Sequence, residues 1–329
     1  MFKGNITVIG ASGNVGRTFL HILTKSDIFQ YASVRATGSN KSAGKSLSIN
    51  EREFTILNTH EIDFLPNEIC VFNTESDVSS YYIPKALAAG AYVIDSSSHY
   101  RMNDNVPLIV PYIGDVNIKK YRLFSHSNCI VSPIASVIYP LHSEFGIEKV
   151  IASTYQSVSG AGKTAMDECF EHTKYFCNTG KRENSNAFPR SIPFNIIPQI
   201  GEFDNNGISS EEMKIMQELN KVVHKDISIF ATSVRVPALV GHSVSLSLRL
   251  QRDFSLLNVQ QVLKNSKRLK VTDEYSTPIE VEGADDVFVS RIRCDERWIH
   301  MWLCSDNLRV GAACDAFYIT SEIAQRITS

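Results

Sequence analysis

The stretch Asn5-Ile6-Thr7-Val8-Ile9-Gly10-Ala11-Ser12-Gly13-Asn14-Val15-Gly16 decides the fold. Asn5 to Ile9 reads as a buried strand, Gly10 to Gly16 as a turn and Val15 to Leu23 as a helix. Outward from it, Val34 to Ser39 is a second strand, and Ile69 to Asn73 and Tyr92 to Asp95 are further short apolar runs. Between those runs, Ile83 to Gly90 reads as a helix that stops on its glycine. Strands alternating with helices predict a doubly wound parallel sheet of the Rossmann type.

Past about residue 130 the pattern changes. Val244-Ser245-Leu246-Ser247-Leu248-Arg249-Leu250 alternates strictly, as a half-buried antiparallel strand does. Lys149 to Ser157 and Asp226 to Val236 are also strand-like, and the polar stretches 178–187 and 204–212 read as loops. Asp306-Asn307 followed by Leu308 to Ile323 looks like a capped helix, able to pack back onto the first domain. The expected organisation is therefore a first domain of residues 1–130, completed by a C-terminal helix at 306–329, and an α+β domain of 131–305.

Composition narrows the function. The chain of 329 residues has 43% hydrophobic and 21% charged residues, an ordinary soluble balance. A net charge of −2 gives no electrostatic case for nucleic acid or a membrane surface. No apolar run is long enough to span a bilayer. Met1-Phe2-Lys3-Gly4-Asn5 leads straight into a strand pattern, which leaves no room for a signal peptide. Seven cysteines, an odd number without a CxxC pair, suit a reduced cytoplasmic protein better than a disulfide scaffold or a zinc site, so no metal is expected.

Gly10, Gly13 and Gly16 form a GxxGxxG loop between strand and helix. Glycines let the backbone approach a pyrophosphate, which then sits at the helix N-terminus. An NAD site usually places Asp or Glu about 20 residues past the loop, for the ribose 2′-hydroxyl. Here no acidic residue lies between Asp27 and Glu51, whereas Arg35, Lys41 and Lys45 stand near Ser39 and Ser42. Cations and hydroxyls suit a 2′-phosphate, so the predicted cofactor is NADP. A solvated basic loop would look the same.

Cys129, in Ser125-His126-Ser127-Asn128-Cys129-Ile130-Val131, directly precedes an apolar segment, Ile130 to Leu141, that can open a helix. Unpaired N–H groups and the positive end of a helix dipole favour thiolate, the nucleophilic form. His242, one of nine histidines, follows a Pro and Gly turn and precedes the alternating strand. It can be a proton-transfer partner, but by its spacing alone it reads more readily as a hydrogen-bonded structural residue. Gln156 ends a strand before a glycine-containing loop, and by itself is a turn-flanking polar residue.

Several motifs occur in one order: the Gly10 loop, Ser127-Asn128-Cys129, Tyr155-Gln156-Ser157-Val158-Ser159-Gly160-Ala161-Gly162, and Arg235-Val236-Pro237 leading to Gly241-His242-Ser243. With them come Phe188-Pro189, Asn195 to Pro198, Glu211-Glu212-Met213-Lys214 and Asp306 to Ala312. Together they resemble the aspartate-semialdehyde dehydrogenase family over nearly the whole chain.

That resemblance implies an NADP-dependent reduction of L-aspartyl 4-phosphate to L-aspartate 4-semialdehyde, with release of phosphate, in lysine, threonine and methionine biosynthesis. Cys129 would be the nucleophile, forming a thioester that hydride then reduces. His242 would be general base and acid, a task suited to a pKa near neutrality, and Gln156 would position substrate or water. Arg101, Asn128 and Lys214 match phosphate contacts. Arg235 matches the carboxylate clamp, and Glu211 the partner of the substrate ammonium. Glu211 and Lys214 sit three apart on a predicted helix, and so also read as a plain surface ion pair. For the cofactor, Gly10, Ser12, Gly13, Asn14 and Val15 would hold the pyrophosphate. Ser39, Lys41 and Ser42 would meet the 2′-phosphate, and Ser159, Gly160 and Asn307 would lie near the nicotinamide. The resemblance also implies a homodimer or homotetramer, with the second domain, and Val244 to Leu250 in it, at the interface.

Three departures touch the substrate. Ile130 and Val131 stand where the family commonly has Ser or Thr and then Thr. Lys41 replaces an arginine, and Pro111-Tyr112-Ile113-Gly114 stands where Pro-Glu-Val-Asn is frequent. Two alternatives stay open: a related reductase of another acyl phosphate or an acyl-CoA, and a non-catalytic NADP-binding paralogue.

Overall fold

The computed structural model describes residues 2–224 and 227–328. The chain divides into two compact units, Met1–Asn128 with Gly311–Ser329, and Cys129–Val310.

The first unit is an eight-stranded sheet. Its strands are β1 (Asn5–Ile9), β2 (Ser33–Gly38), β3 (Ser46–Ile49), β4 (Arg52–Asn58), β5 (Ile69–Phe72), β6 (Tyr92–Asp95), β7 (Leu108–Ile109) and β8 (Leu123–His126). Their order is β3-β4-β2-β1-β5-β6-β8-β7. The chain leaves β1 for β2 on one side and later returns to β5 on the other, so the C-terminal end of β1 is the switch point where α/β sheets bind ligands. Every pairing is parallel except that of β3 with β4. The expected parallel sheet thus carries an antiparallel hairpin at one edge. It turns at Asn50 and Glu51, both with positive φ, as tight hairpins require.

The glycine loop occupies the switch point. Gly10 has φ +76, and a Cβ there would collide with the Asn73 carbonyl oxygen. Helix α1 (Asn14–Thr24) starts directly after Gly13, which gives it no side-chain cap. Helix α2 (Ser76–Ala88) begins well before the predicted Ile83 and carries Pro84 inside it. Its first turns are polar in sequence because Ser79 is buried and donates to Asp95 Oδ1 at 2.8 Å, a partner that an apolar pattern does not reveal.

One predicted phosphate cation is committed elsewhere. Arg35 Nη2 pairs with Glu68 Oε1 at 2.6 Å, and its Nε donates to Thr7 Oγ1 at 3.0 Å. Glu68 is fully buried and needs that guanidinium as counter-charge. Lys41 and Lys45, by contrast, are exposed.

The second unit comprises α3 (Val131–Phe145), β9 (Ile147–Gln156), α4 (Lys163–Thr179), α5 (Ser210–Val223), β10 (Ser228–Arg235), β11 (His242–Leu250), α6 (Leu256–Lys264), β12 (Leu269–Val271), α7 (Pro278–Val281), β13 (Val287–Asp295) and β14 (Trp298–Ser305). Asp226, where the sequence begins the β10 strand, lies outside the described residues. The order β10-β9-β11-β14-β13-β12 puts β10 parallel to β9, and β11 antiparallel to both β9 and β14. Consequently the C-terminal ends of β10, β9 and β14 and the start of β11 share one end of the sheet. Helices α3, α5 and α6 pack against strands of the sheet, over Val150, Ala152, Leu246 and Leu248.

The predicted loop at 204–212 ends three residues early. Ser209 and Glu212 form a capping box that starts α5, and Glu212 Oε1 also accepts from Ser233 N–H at 2.9 Å. After β14, Asp306 Oδ1 accepts from Leu308 N–H at 2.9 Å. A π-helical turn, Arg309–Ala313, leads into α8 (Cys314–Thr328). Ala316, Ile319, Ile323 and Ala324 of α8 belong to the first unit's core, with Ile6, Val8 and Phe19. Among the described residues no helix is long and apolar enough to cross a membrane, and no group of His, Cys, Asp or Glu could hold a metal ion.

Candidate active site

The strand ends bring part of the predicted chemistry together. Gln156 closes β9, Arg235 closes β10 in direct register with it, and His242 opens β11 opposite Ser305 of β14. Cys129 precedes α3, and its Sγ lies 3.4 Å from His242 Nε2. Ile130 is the N-cap of α3 and supplies no side-chain cap. Both Ile130 and Val131, which follow Cys129, are fully buried core side chains.

The orientation of His242 follows from its neighbours. Ser157 N–H donates to Nδ1 at 3.1 Å. A backbone N–H only donates, so Nδ1 accepts and the proton of the neutral ring sits on Nε2, facing the sulfur. Burial, and after it the positive charge of Arg235, push the His242 pKa down to about 3. Burial of a ring that is 1% exposed, and the neighbouring cation, both oppose the near-neutral pKa that the family resemblance implies. His242 is an N–H donor at neutral pH. In this tautomer Nε2 has no lone pair with which to take a proton from Cys129.

Arg235 is buried and donates from Nη1 to Ser157 O at 2.6 Å. Burial lowers its pKa, while the charges of Glu211 and Cys129 act to raise it, so the guanidinium is electrostatically coupled to both. Glu211, in the first turn of α5, is 6% exposed and pairs with Lys214 Nζ at 3.3 Å. A carboxylate that buried is more than a solvated surface partner. Gln156 is buried, and its Nε2 donates to Thr154 Oγ1 at 3.3 Å. Gly160 and Ser159 lie in the 3-10 turn Val158–Ala161. A Cβ on Gly160 would sit 3.1 Å from Arg235 Nη1 and 3.3 Å from His242 Nε2, so the turn runs right against the pair. Asn307 is buried and bonded to Ser159.

The remaining predicted residues lie in the first unit. Gly10, Ser12, Gly13, Asn14 and Val15 form the loop and first turn of α1, and Arg17 Nε holds the Ser12 carbonyl at 3.0 Å. Ser39, Lys41 and Ser42 follow β2, where Ser42 Oγ donates to Ser39 O at 3.0 Å. Arg101 is on the loop after β6, buried, with Nη2 donating to Ser96 O at 2.7 Å. Asn128 is the last residue of that unit.

Two contributors went unread in the sequence. Ser157 orients His242 through its backbone, for which no side-chain pattern exists. Asp95, buried beneath the Arg101 loop, accepts from Ser97 N–H at 3.0 Å and Ser97 Oγ at 2.9 Å. The Asp95-Ser96-Ser97 run at a strand end was the available signal.

A thiol beside a buried N–H donor, in a chain that also carries a glycine-rich switch-point loop, suits a covalent dehydrogenase. The family comparison agrees. Residues 5–121 match the semialdehyde dehydrogenase NAD binding domain, and residues 138–310 match the semialdehyde dehydrogenase dimerisation domain. The chain belongs to the aspartate-semialdehyde dehydrogenase family. A relative of that name from Rickettsia bellii is 40% identical over 98% of each chain, and one from Aquifex aeolicus is 36% identical over 95% of this chain and 96% of its own. The crystal structure of aspartate semialdehyde dehydrogenase II from Vibrio cholerae, complexed with ASA, superposes with a TM-score of 0.93 at 30% identity, covering 99% of this chain and 98% of that one.

For a member of this family, a low histidine pKa makes stability acid-sensitive. Below about pH 6.5 the unfolded chain binds a proton at His242 that the folded chain does not, so stability falls as pH drops. By pH 5 the loss from this one group is about 2 kcal/mol. Urea denaturation of wild type and His242→Asn at pH 7 and pH 5 checks it. The pH-dependent loss should shrink in the variant; an equal loss in both would contradict the assignment.

Proposed function

We propose that this chain catalyses the phosphate-dependent interconversion of L-aspartyl 4-phosphate and L-aspartate 4-semialdehyde with NADP, in lysine, threonine and methionine biosynthesis. The observation that carries this reading is the 3.4 Å approach of Cys129 Sγ to a His242 Nε2 that bears the proton. The Cys129 thiolate, favoured by that N–H, by the start of α3 and by Arg235, attacks the acyl carbon, and phosphate leaves with the reaction's one net proton. NADPH supplies hydride to the resulting thioester. The tetrahedral oxyanion then expels the thiolate and releases the aldehyde. His242 Nε2–H stabilises the negative charge, first on sulfur and then on that oxyanion.

Arg235 clamps the substrate carboxylate, Glu211 binds its ammonium, and Lys214, Arg101 and Asn128 bind phosphate. Gln156 orients the acyl group. The glycine loop fits a dinucleotide: Gly10, at φ +76 and packed against the Asn73 backbone, gives the tight turn, and the uncapped start of α1 offers N–H groups to a pyrophosphate. Ser12, Gly13, Asn14 and Val15 take that role, Ser159 and Gly160 line the nicotinamide end, and Ser39, Lys41 and Ser42 meet the 2′-phosphate.

Lys41→Ala should weaken NADPH binding about tenfold, the scale of one charge-assisted phosphate contact, and leave NADH binding unchanged. Equal effects on both cofactors, measured by fluorescence titration, would remove Lys41 from the 2′-phosphate site.

A homodimer or homotetramer is supported by the dimerisation-domain match and by the exposed apolar residues Ile151, Tyr155 and Phe230 on β9 and β10. Sedimentation at working concentration should show no monomer; a monomeric, active enzyme would sink this. The odd set of seven cysteines suits a reducing, cytoplasmic setting.

The function itself is tested by NADP reduction with L-aspartate semialdehyde. The expected rate depends on phosphate. Activity that ignores phosphate, or that needs coenzyme A in its place, would overturn the reading.

A further inference from the structure

The family resemblance gives Asn307 to the nicotinamide, yet its carboxamide is engaged inside the second unit. It lies two residues beyond β14 and is 2% exposed. Its Oδ1 accepts from Gly241 N–H at 2.8 Å, from Ser157 Oγ at 3.0 Å and from Ser159 Oγ at 3.0 Å. Its Nδ2 donates to Ser159 Oγ at 2.9 Å. Two of these partners bracket His242. Gly241 immediately precedes it, and Ser157 presents both N–H and Oγ to Nδ1, at 3.1 and 3.2 Å.

We propose that Asn307 is a positioning residue for His242: its carboxamide ties the turn after β9 to the start of β11, holding the Ser157 N–H on Nδ1 and thereby the Nε2–H on Cys129. An amide oxygen cannot donate, so the hydroxyls it receives must turn their protons toward it. With the Ser157 hydroxyl proton on Asn307 Oδ1, the backbone N–H of Ser157 is the donor that sets the tautomer. Gly241 has φ +92, and a Cβ there would lie 2.8 Å from Pro278 Cα, so its N–H is aimed by a backbone that no other residue supports. A buried network of this kind is strong when every member is satisfied, and losing one member loosens the rest. The inference rests on the proposed role of Cys129 as nucleophile.

The test follows alkylation of the Cys129 peptide by iodoacetamide against pH, read by mass spectrometry because Cys177 and Cys294 are exposed. Wild type, Asn307→Ala, Ser157→Ala and Ser157→Thr are compared, with NADPH dissociation constants and steady-state kinetics. In Asn307→Ala the alkylation midpoint should rise by about one pH unit, the equivalent of a tenfold loss of thiolate at neutral pH. Its kcat should fall about 10- to 100-fold, with NADPH affinity changed less than about threefold. Ser157→Ala should shift the midpoint in the same direction, and Ser157→Thr, which keeps the hydroxyl, should restore it. An unchanged midpoint with NADPH bound about tenfold more weakly would make Asn307 a cofactor residue and overturn the proposal. So would an Asn307→Ala that changes nothing. If Asn307→Ala does not fold, the Ser157 pair decides: equal midpoints in Ala, Thr and wild type refute it. Alkylation needs no substrate, so wild-type protein that titrates as expected but ignores aspartate semialdehyde would refute only the function.

Discussion

Cys129→Ala should lower kcat/KM for L-aspartate semialdehyde by at least about 10,000-fold, while NADPH binds with unchanged affinity. Removing a covalent nucleophile leaves only binding and electrostatic help, and losses on that scale or beyond follow. The thiol faces His242 Nε2 at 3.4 Å, and Cys304, which bonds Ser243 at 3.3 Å, cannot substitute. Burial pushes the Cys304 thiol up to about 11, so it stays protonated and inert. Cys129→Ser should be nearly as inactive, because a hydroxyl beside a neutral N–H donor has no base to deprotonate it. A Cys129→Ala variant with more than about 1% of wild-type activity would show that the reaction does not pass through this residue.

His242→Ala is the second large effect, about 100- to 1,000-fold on kcat, the scale of one lost donor at a developing oxyanion. His242→Gln discriminates between mechanisms. Glutamine keeps an N–H that can point at the sulfur, so it should recover part of the loss. If the histidine instead carried protons, as the family resemblance implies, glutamine would be as inactive as alanine. The pH profile adds a second reading. With the ring held neutral by burial and by Arg235, no acid limb near pH 6.5 should belong to His242.

Much of the fold was legible. The Gly10 loop marks the switch point because its requirement is local: one positive φ and one close backbone approach. The strict alternation of Val244 to Leu250 gave β11 for the same reason. The polar start of α2 hid a helix because Ser79 is satisfied by a buried Asp95, a contact made across the chain. Glu212 carried a capping signature with Ser209 in plain view, and a rule applied to polar composition hid it. Arg35 was read as a phosphate cation because sequence shows where charges are, not where their buried counter-charges lie; Glu68 is 33 residues away.

In the site, the family motifs named Cys129, Gln156, Arg235 and His242; three of these stand at strand ends, and the fourth, Cys129, has its Sγ 3.4 Å from His242 Nε2. What orients them was not readable. The tautomer of His242 is set by a backbone N–H, and its low pKa by burial beside a cation. Both are properties of packing, and neither leaves a pattern in the residue order.

The most direct test of the account is to trap the acyl-enzyme. Wild-type protein is incubated with L-aspartate semialdehyde and NADP in the absence of phosphate, quenched in acid and digested. Mass spectrometry should then find an aspartyl thioester on the peptide containing Cys129, formed together with one equivalent of NADPH and discharged when phosphate is added before the quench. NADPH produced with no adduct on Cys129, or with the adduct on another residue, would contradict it.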